Sequence, residues 1–215
     1  MEKWNCGVLP LDGGGDKRGW SIRGHLIYPL RGEDGRITGY VARDPAFEAR
    51  EQAFAALSPP ERAKEKLPIK HRFPVEFKRG LELFGQHSSR LEEPGYREWI
   101  ARNGILVVEG FNDVISLDSL GIPAVAIMSS HMTDEQIVKV ERWAWQLAGG
   151  RVSLFFDADD AGDSGAKEAL WHLTQRGLQV RVIWTQAMHT GKFRGRQPES
   201  LDRNDATLLF GQAPH

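Results

Sequence analysis

"SLFFDADDAGDSGAKEAL", residues 153–170, decides how the chain is read. It passes from an apolar, strand-like run into four aspartates, Asp157, Asp159, Asp160 and Asp163, and then into a helix-forming tail. Like charges crowded into one turn repel and raise one another's pKa unless something positive sits among them. The stretch therefore predicts a strand end, a cation and a helix start in one place.

Working outward, the hydrophobic period switches regularly from residue 104 onward. "GILVVEG" (104–110) is a continuous β-branched run of the buried parallel-strand type. "NDVISLDSLG" (112–121) follows as a helix with Asn112 in N-cap position and Gly121 as its stop. "PAVAIM" (123–128) is a second strand, and 133–150 a helix that opens on a capping box from Thr133 to Gln136. "RVSLFFD" is a third strand, Ser164–Arg176 a third helix with Asp163 as its cap, and "LQVRVIW" (178–184) a fourth strand. Four strands alternating with three helices imply an α/β fold: a mostly parallel, Rossmann-like sheet with helices on both faces.

Upstream, "GHLIYPL" (24–30) and "GRITGYVAR" (35–43), with the turn "RGEDG" between them, read as an antiparallel hairpin in a smaller mixed α+β lobe. Residues 46–66 read as helix or exposed linker, and "FPVEFKRGLELFG" as a turn feeding a short helix. The glycine cluster "GGGDKRG" lacks the phosphate-loop spacing and is expected to be only flexible. The expected organisation is a basic lobe over 1–102 and an α/β domain with a C-terminal extension over 103–215.

Composition narrows the function. Residues 1–103 carry 18 Lys and Arg against 15 Asp and Glu, a net +3, whereas 104–215 carry 10 against 14, a net −4. No apolar run is long enough to span a membrane and the N-terminus lacks a signal-peptide pattern, so a cytoplasmic protein is expected. Cys6 is the single cysteine, which excludes a multi-cysteine zinc site within these residues. In a doubly wound sheet the first and third strands are neighbours, and ligands bind at their carboxyl ends. Those ends are Glu109 and Asp157, with Asp159 just beyond and Asp113 one helical turn past Glu109. Oxygen-only donors favour Mg²⁺ or Mn²⁺ over zinc. A calcium loop would use Asp157, Asp159, Gly162 and Glu168, but Ala161 stands at its fifth position and a strand, not a helix, precedes it.

"LVVEGFNDVI" and "LFFDADDAG" resemble the two signatures of the Toprim domain, closest to the catalytic core of bacterial DnaG-type DNA primases. Upstream, "IRGHLIYPLRGEDGRITGYVAR" and "PIKHRFPVEFKRGLELFG" are similar to primase segments, and "LDRNDATLLFG" to a late acidic element. The resemblance implies metal-dependent synthesis of RNA primers from NTPs on a single-stranded DNA template. It implies Glu109 as metal ligand or general base, Asp157 and Asp159 as ligands, and Asp113 as a further ligand or a supporting acid. Asp202 takes the late acidic position, with Asp205 its alternative. Arg23, Arg43, Lys70 and Lys78 fall on basic positions that would hold template or triphosphate, and His25 replaces a second arginine. Such primases carry a zinc-binding domain and a helicase-binding domain, so a separate zinc-binding domain and a replicative helicase are the implied partners. Two rival readings are a Toprim nuclease or DNA-processing enzyme and a non-catalytic nucleic-acid-binding module of a replication complex.

Overall fold

The computed structural model describes residues 2–11 and 22–211. The glycine cluster at 13–19 lies outside them. The described residues divide into two compact units, one formed by 1–30 and 37–77, the other by 31–36 and 78–215.

The first unit is built on a four-stranded antiparallel sheet in the order β1 (Gly7–Val8), β2 (Leu26–Arg31), β3 (Ile37–Arg43) and β4 (His71–Arg72). Gly7 faces Ile27 across the first pair, and Arg43 faces His71 across the last. The hairpin read from the sequence is β2–β3. Its turn is closed by the Gly32 N–H donating to the Arg36 carbonyl and by Gly35 at φ +80, a left-handed conformation that glycine adopts without penalty. Tyr28, Leu30, Val41 and Ala42 are buried. Residues 46–66 resolve into two helices, α1 (Phe47–Ala56) and the single turn α2 (Pro59–Arg62), neither with a buried residue. Their breakpoint is the Pro59–Pro60 pair, which fits only a helix's first turn.

In the second unit the short 3-10 turn Arg79–Leu81 and the helices α3 (Ser88–Leu91) and α4 (Pro94–Asn103) lead into the alternating region. There β5 (Ile105–Val108), α5 (Phe111–Ser119), β6 (Ala124–Ala126), α6 (Asp134–Ala148), β7 (Arg151–Leu154), α7 (Asp160–Gln175) and β8 (Gln179–Val182) form a parallel sheet in the order β6-β5-β7-β8. The first and third strands of this alternation are neighbours, as the sequence predicts; Leu106 pairs with Ala124 on one side and Ser153 on the other. The direction of travel reverses after β6, so right-handed crossovers put α5 on one face and α6 and α7 on the other. Every residue of β5 is buried, which explains its unbroken apolar run. The outer edge of β6 is closed by an antiparallel bridge from Phe84 to Ala126. Helix α8 (Arg203–Phe210) follows. Among the described residues no helix is long and apolar enough to cross a membrane.

Two helix starts differ from expectation. Gly110, not Asn112, is the N-cap of α5, because the Asp113 carboxylate turns back to accept from the Gly110 N–H at 2.8 Å. Asp159, not Asp163, caps α7, accepting from the Gly162 N–H at 2.8 Å, and the helix begins at Asp160. An Asx residue caps wherever the extended backbone first bends, and this bend falls one turn before the helix-forming residues become continuous.

A buried ion pair ties these layers together. Arg90 of α3 meets Asp118 of α5 at 3.1 Å, the Tyr96 hydroxyl of α4 donates to the same carboxylate oxygen at 2.6 Å, and the guanidinium also donates to the carbonyls of Gly85 and Ala124. Removing one partner strands the other charge in a low-dielectric interior. Asp118→Ala is expected to cost about 3–5 kcal/mol, measured as a lower urea midpoint; an unchanged midpoint would show that the pair contributes nothing.

Candidate active site at the carboxyl ends of the parallel strands

Strand β5 ends at Val108, so Glu109 emerges at the lip of the sheet. Along the β5–β7 ladder the Phe155 N–H donates to the Val107 carbonyl, and the next inward N–H, that of Asp157, would meet the Glu109 carbonyl in a continuing ladder. That carbonyl is taken by the Met128 N–H at 2.9 Å, and the Glu109 carboxylate itself accepts from the Asp157 N–H at 2.8 Å. The side chain thus replaces a backbone acceptor, and the two acids that are 48 residues apart in sequence are held together.

The glycines of α7 permit this arrangement. A Cβ on Gly162 would fall on the Asp157 carbonyl and within 2.7 Å of Glu109 Oε1, and one on Gly165 would fall on the Ser130 carbonyl. Both lie on one helix face at i and i+3, and they let the first turn of α7 press against the strand ends.

The electrostatics follow from crowding. Burial pushes the Glu109 carboxyl from 4.5 up to about 7, opposed by the Asp157 N–H and reinforced by the charges of Asp157 and Asp159. Burial also carries Asp113, only 4% exposed, from 3.8 to about 8, with the charge of Asp157 adding most and Glu199 and Glu109 contributing. Four of the five acids expected at the site therefore share one electrostatic neighbourhood. Asp202 caps α8, accepting from the Asp205 N–H at 2.8 Å, while Asp205 pairs with Arg196 at 2.7 Å and Lys192 at 3.5 Å. The acid from this late segment that acts on the cluster is Glu199, whose backbone carbonyl accepts from the Ser116 hydroxyl of α5. The D-x-x-D spacing of Asp202 and Asp205 is a helix-capping pattern, and that signal could have turned attention to Glu199.

Among the described residues no three His, Cys, Asp or Glu side chains stand close enough to ligate one ion together. Glu109, Asp113 and Asp159 each spend one carboxylate oxygen on a backbone N–H and keep the other. The donor chemistry fits a hard divalent cation: oxygen only, with ionisation of two acids held back by burial and mutual repulsion.

Of the expected basic residues, Arg23, Arg43 and Lys70 belong to the first unit. Arg23 donates to the Leu11 carbonyl at 3.4 Å, and its own carbonyl meets Nδ1 of the buried His25 at 3.2 Å. Arg43 is paired with Glu48 at 2.9 Å; burial depresses its pKa, but Glu48 and Tyr28 outweigh that and leave it raised. The Lys70 ammonium lies 5.9 Å from the Phe47 ring centroid. In the second unit Lys78 is exposed, and its neighbour Arg79 reaches the Met128 carbonyl at 3.5 Å, one peptide from the N–H that binds the Glu109 carbonyl. Arg79 sits where the lysine of an F-x-K-G pattern would, so the motif itself pointed to it. Buried Gln136 fixes this segment, donating to the carbonyls of Glu82 and Ile127 at 2.9 Å each and of Arg79 at 3.4 Å, and the Thr133 hydroxyl donates to the Gly80 carbonyl at 2.5 Å.

A parallel sheet with carboxylates at the ends of its adjacent central strands, the first followed by a buried Asp in α5 and the second by a capping Asp before α7, is the arrangement of a Toprim-like fold. Residues 106–192 match the Toprim-like family. Over 163 residues the chain is 30% identical to the DNA primase of Staphylococcus aureus strain MRSA252, an alignment that takes in 75% of this chain and 23% of that relative. The crystal structure of a DNA primase domain from Pseudomonas aeruginosa superposes with a TM-score of 0.57 at 26% identity, covering 92% of this chain and 52% of that one. A DnaG primase catalytic domain bound to single-stranded DNA superposes with a TM-score of 0.62 at 21% identity, covering 97% and 64% respectively. The chain thus has the fold of a DnaG-type primase core and spans less than a quarter of the length of its Staphylococcus relative.

The raised pKa values carry a pH dependence of definite sign. Unfolded carboxyls titrate near 4, so between about pH 4 and 8 the folded chain holds more protons than the unfolded one. The stabilisation from these groups is full at acid pH and is lost as pH rises through about 7 and 8. In EDTA the melting temperature is expected to fall across this window. Mg²⁺ should restore it most at the alkaline end, and Asp113→Asn should flatten the fall. A metal-free melting temperature that is level from pH 5 to 9 would refute the assignment.

Proposed function

We propose that this chain is the catalytic core of a primase, joining NTPs into an RNA primer on single-stranded DNA. The observation that carries the reading is the Glu109 carboxylate held over the Asp157 N–H at the lip of neighbouring parallel strands. Glu109, Asp157 and Asp159, with Asp113 behind them, would hold Mg²⁺ or Mn²⁺. When bound, the ions polarise the α-phosphate and neutralise charge on the entering and leaving oxygens of an in-line displacement.

The chain's own residues supply the rest. Glu109 serves as a metal ligand or, where it is left uncoordinated, as the base for an attacking 3′-hydroxyl, since burial raises its carboxyl to about 7 in the metal-free chain. Asp113 fixes the entry of α5, and Asp159 the start of α7, so both acids are anchored to rigid elements through backbone N–H groups. Arg79 and Lys78 supply cations near the lip for a triphosphate, and Arg23, Arg43 and Lys70 supply charge for the template. The nucleic acid in the DnaG structure supports single-stranded DNA as template. A zinc-binding domain and a replicative helicase would act as separate partners in a cytoplasmic replication complex.

Incubation with labelled NTPs, single-stranded DNA and Mg²⁺ or Mn²⁺ should yield short labelled oligonucleotides. Asp157→Ala and Asp159→Ala should each reduce the yield by about two orders of magnitude or more. Supercoiled plasmid offered in parallel should stay intact; nicking that the same variants abolish would assign a nuclease instead.

A further inference from the structure

A second concavity lies on the same α/β unit, toward the opposite ends of the strands. It encloses about 320 Å³ and is lined by Arg102, Asn103, Arg151, Ser153, Gln179 and Arg181, with Val152 and Val180 at its floor. Arg151 opens β7 and Gln179 opens β8, and these paired positions mark the amino-terminal edge of the sheet. Six residues separate Arg151 from Asp157, about 20 Å at some 3.3 Å per extended residue. The two sites are therefore distinct.

Three arginines line this opening and no Asp or Glu does. Among the described residues none of the three forms an ion pair. Cations gathered without acids need another explanation on a half-chain that is net acidic. One explanation is capping of the α4 C-terminus, and part of the set does this: Arg151 donates to the Ala101 carbonyl, the Ser153 hydroxyl to the Asn103 carbonyl at 2.7 Å, and Arg102 to the Glu98 carbonyl at 3.4 Å. Those bonds use up the carbonyls that would repel an anion but only a few of the fifteen or so N–H donors three arginines carry. Arg181 caps nothing. Its guanidinium lies 5.9 Å from the Phe210 ring, and partial desolvation with no carboxylate to offset it lowers its pKa.

We infer that this arginine-lined concavity is a phosphate-binding site, separate from the acids, that takes either the phosphodiesters of a nucleic-acid strand or the oligophosphate of a free nucleotide. Guanidinium forks match phosphate oxygens in pairs, and three positive charges call for two or three phosphate groups, more than one carboxylate can answer. The Asn103 and Gln179 side chains add neutral polar groups to the lining.

The test uses the full chain in EDTA, so that the acids take no part, with inorganic tripolyphosphate in calorimetry and a labelled oligothymidylate in fluorescence anisotropy. Arg181→Glu should weaken tripolyphosphate binding about tenfold at low salt, and Arg181→Lys should recover most of it. If a strand is the natural ligand, the salt slope of oligothymidylate binding falls by roughly one in Arg181→Glu. If a free nucleotide is, only tripolyphosphate binding falls. Should Arg181→Glu melt below the parent, Arg102→Gln carries the same measurements. The inference is overturned if a variant with the parental melting temperature binds both ligands with unchanged affinity and slope. It is overturned equally if oligoglutamate binds as tightly as tripolyphosphate and is lost in the same variant, since an acidic peptide would then be the partner.

Discussion

The constraint on which the site depends is one hydrogen bond that crosses the centre of the parallel sheet: the Glu109 carboxylate stands where a backbone carbonyl would have continued the ladder to Asp157. A buried N–H must find an acceptor, and once the Glu109 carbonyl is committed to Met128 the side chain is the acceptor at hand. The same bond that completes the ladder brings a carboxylate against a second acid. Completing the ladder and concentrating negative charge are thus one event, and burial, with the charges of Asp157 and Asp159, raises the Glu109 pKa against the pull of that bond.

Around this bond the neighbouring elements are positioned by groups with no chemistry of their own. Gly162 and Gly165 let α7 approach the strand ends, where any side chain would meet backbone. Asp113 and Asp159 each turn one oxygen to a helix N-terminus and so present the other from a fixed direction. Gln136, wholly buried, gathers carbonyls from three places and sets the segment that carries Lys78 and Arg79. Precision here comes from satisfied backbone groups, and every one of the anchors is a rigid element end.

Much of this was legible in the sequence because the sheet is buried on both faces. The unbroken run of 105–108 and the alternation that follows imply a doubly wound parallel sheet, and the common strand order of such sheets puts Glu109 beside Asp157. What was not legible depends on the backbone's local course. Asn112 and Asp163 are good cap residues by type, but the bends fall at Gly110 and Asp159. Among the late acids Asp202 caps α8, and Glu199, in no motif, acts on Asp113 through its charge. Long-range electrostatic coupling leaves no periodic trace in a chain.

Residues 31–36 belong to the second unit although the strands on either side belong to the first, and Glu33 of that turn pairs with Lys139 at 3.3 Å and Arg142 at 2.5 Å while its carbonyl accepts from the Ser88 N–H. The polypeptide therefore passes from one unit to the other three times, not once. No single scission yields both units whole: a fragment beginning at 78 leaves Lys139 and Arg142 without an acid they hold in the intact chain.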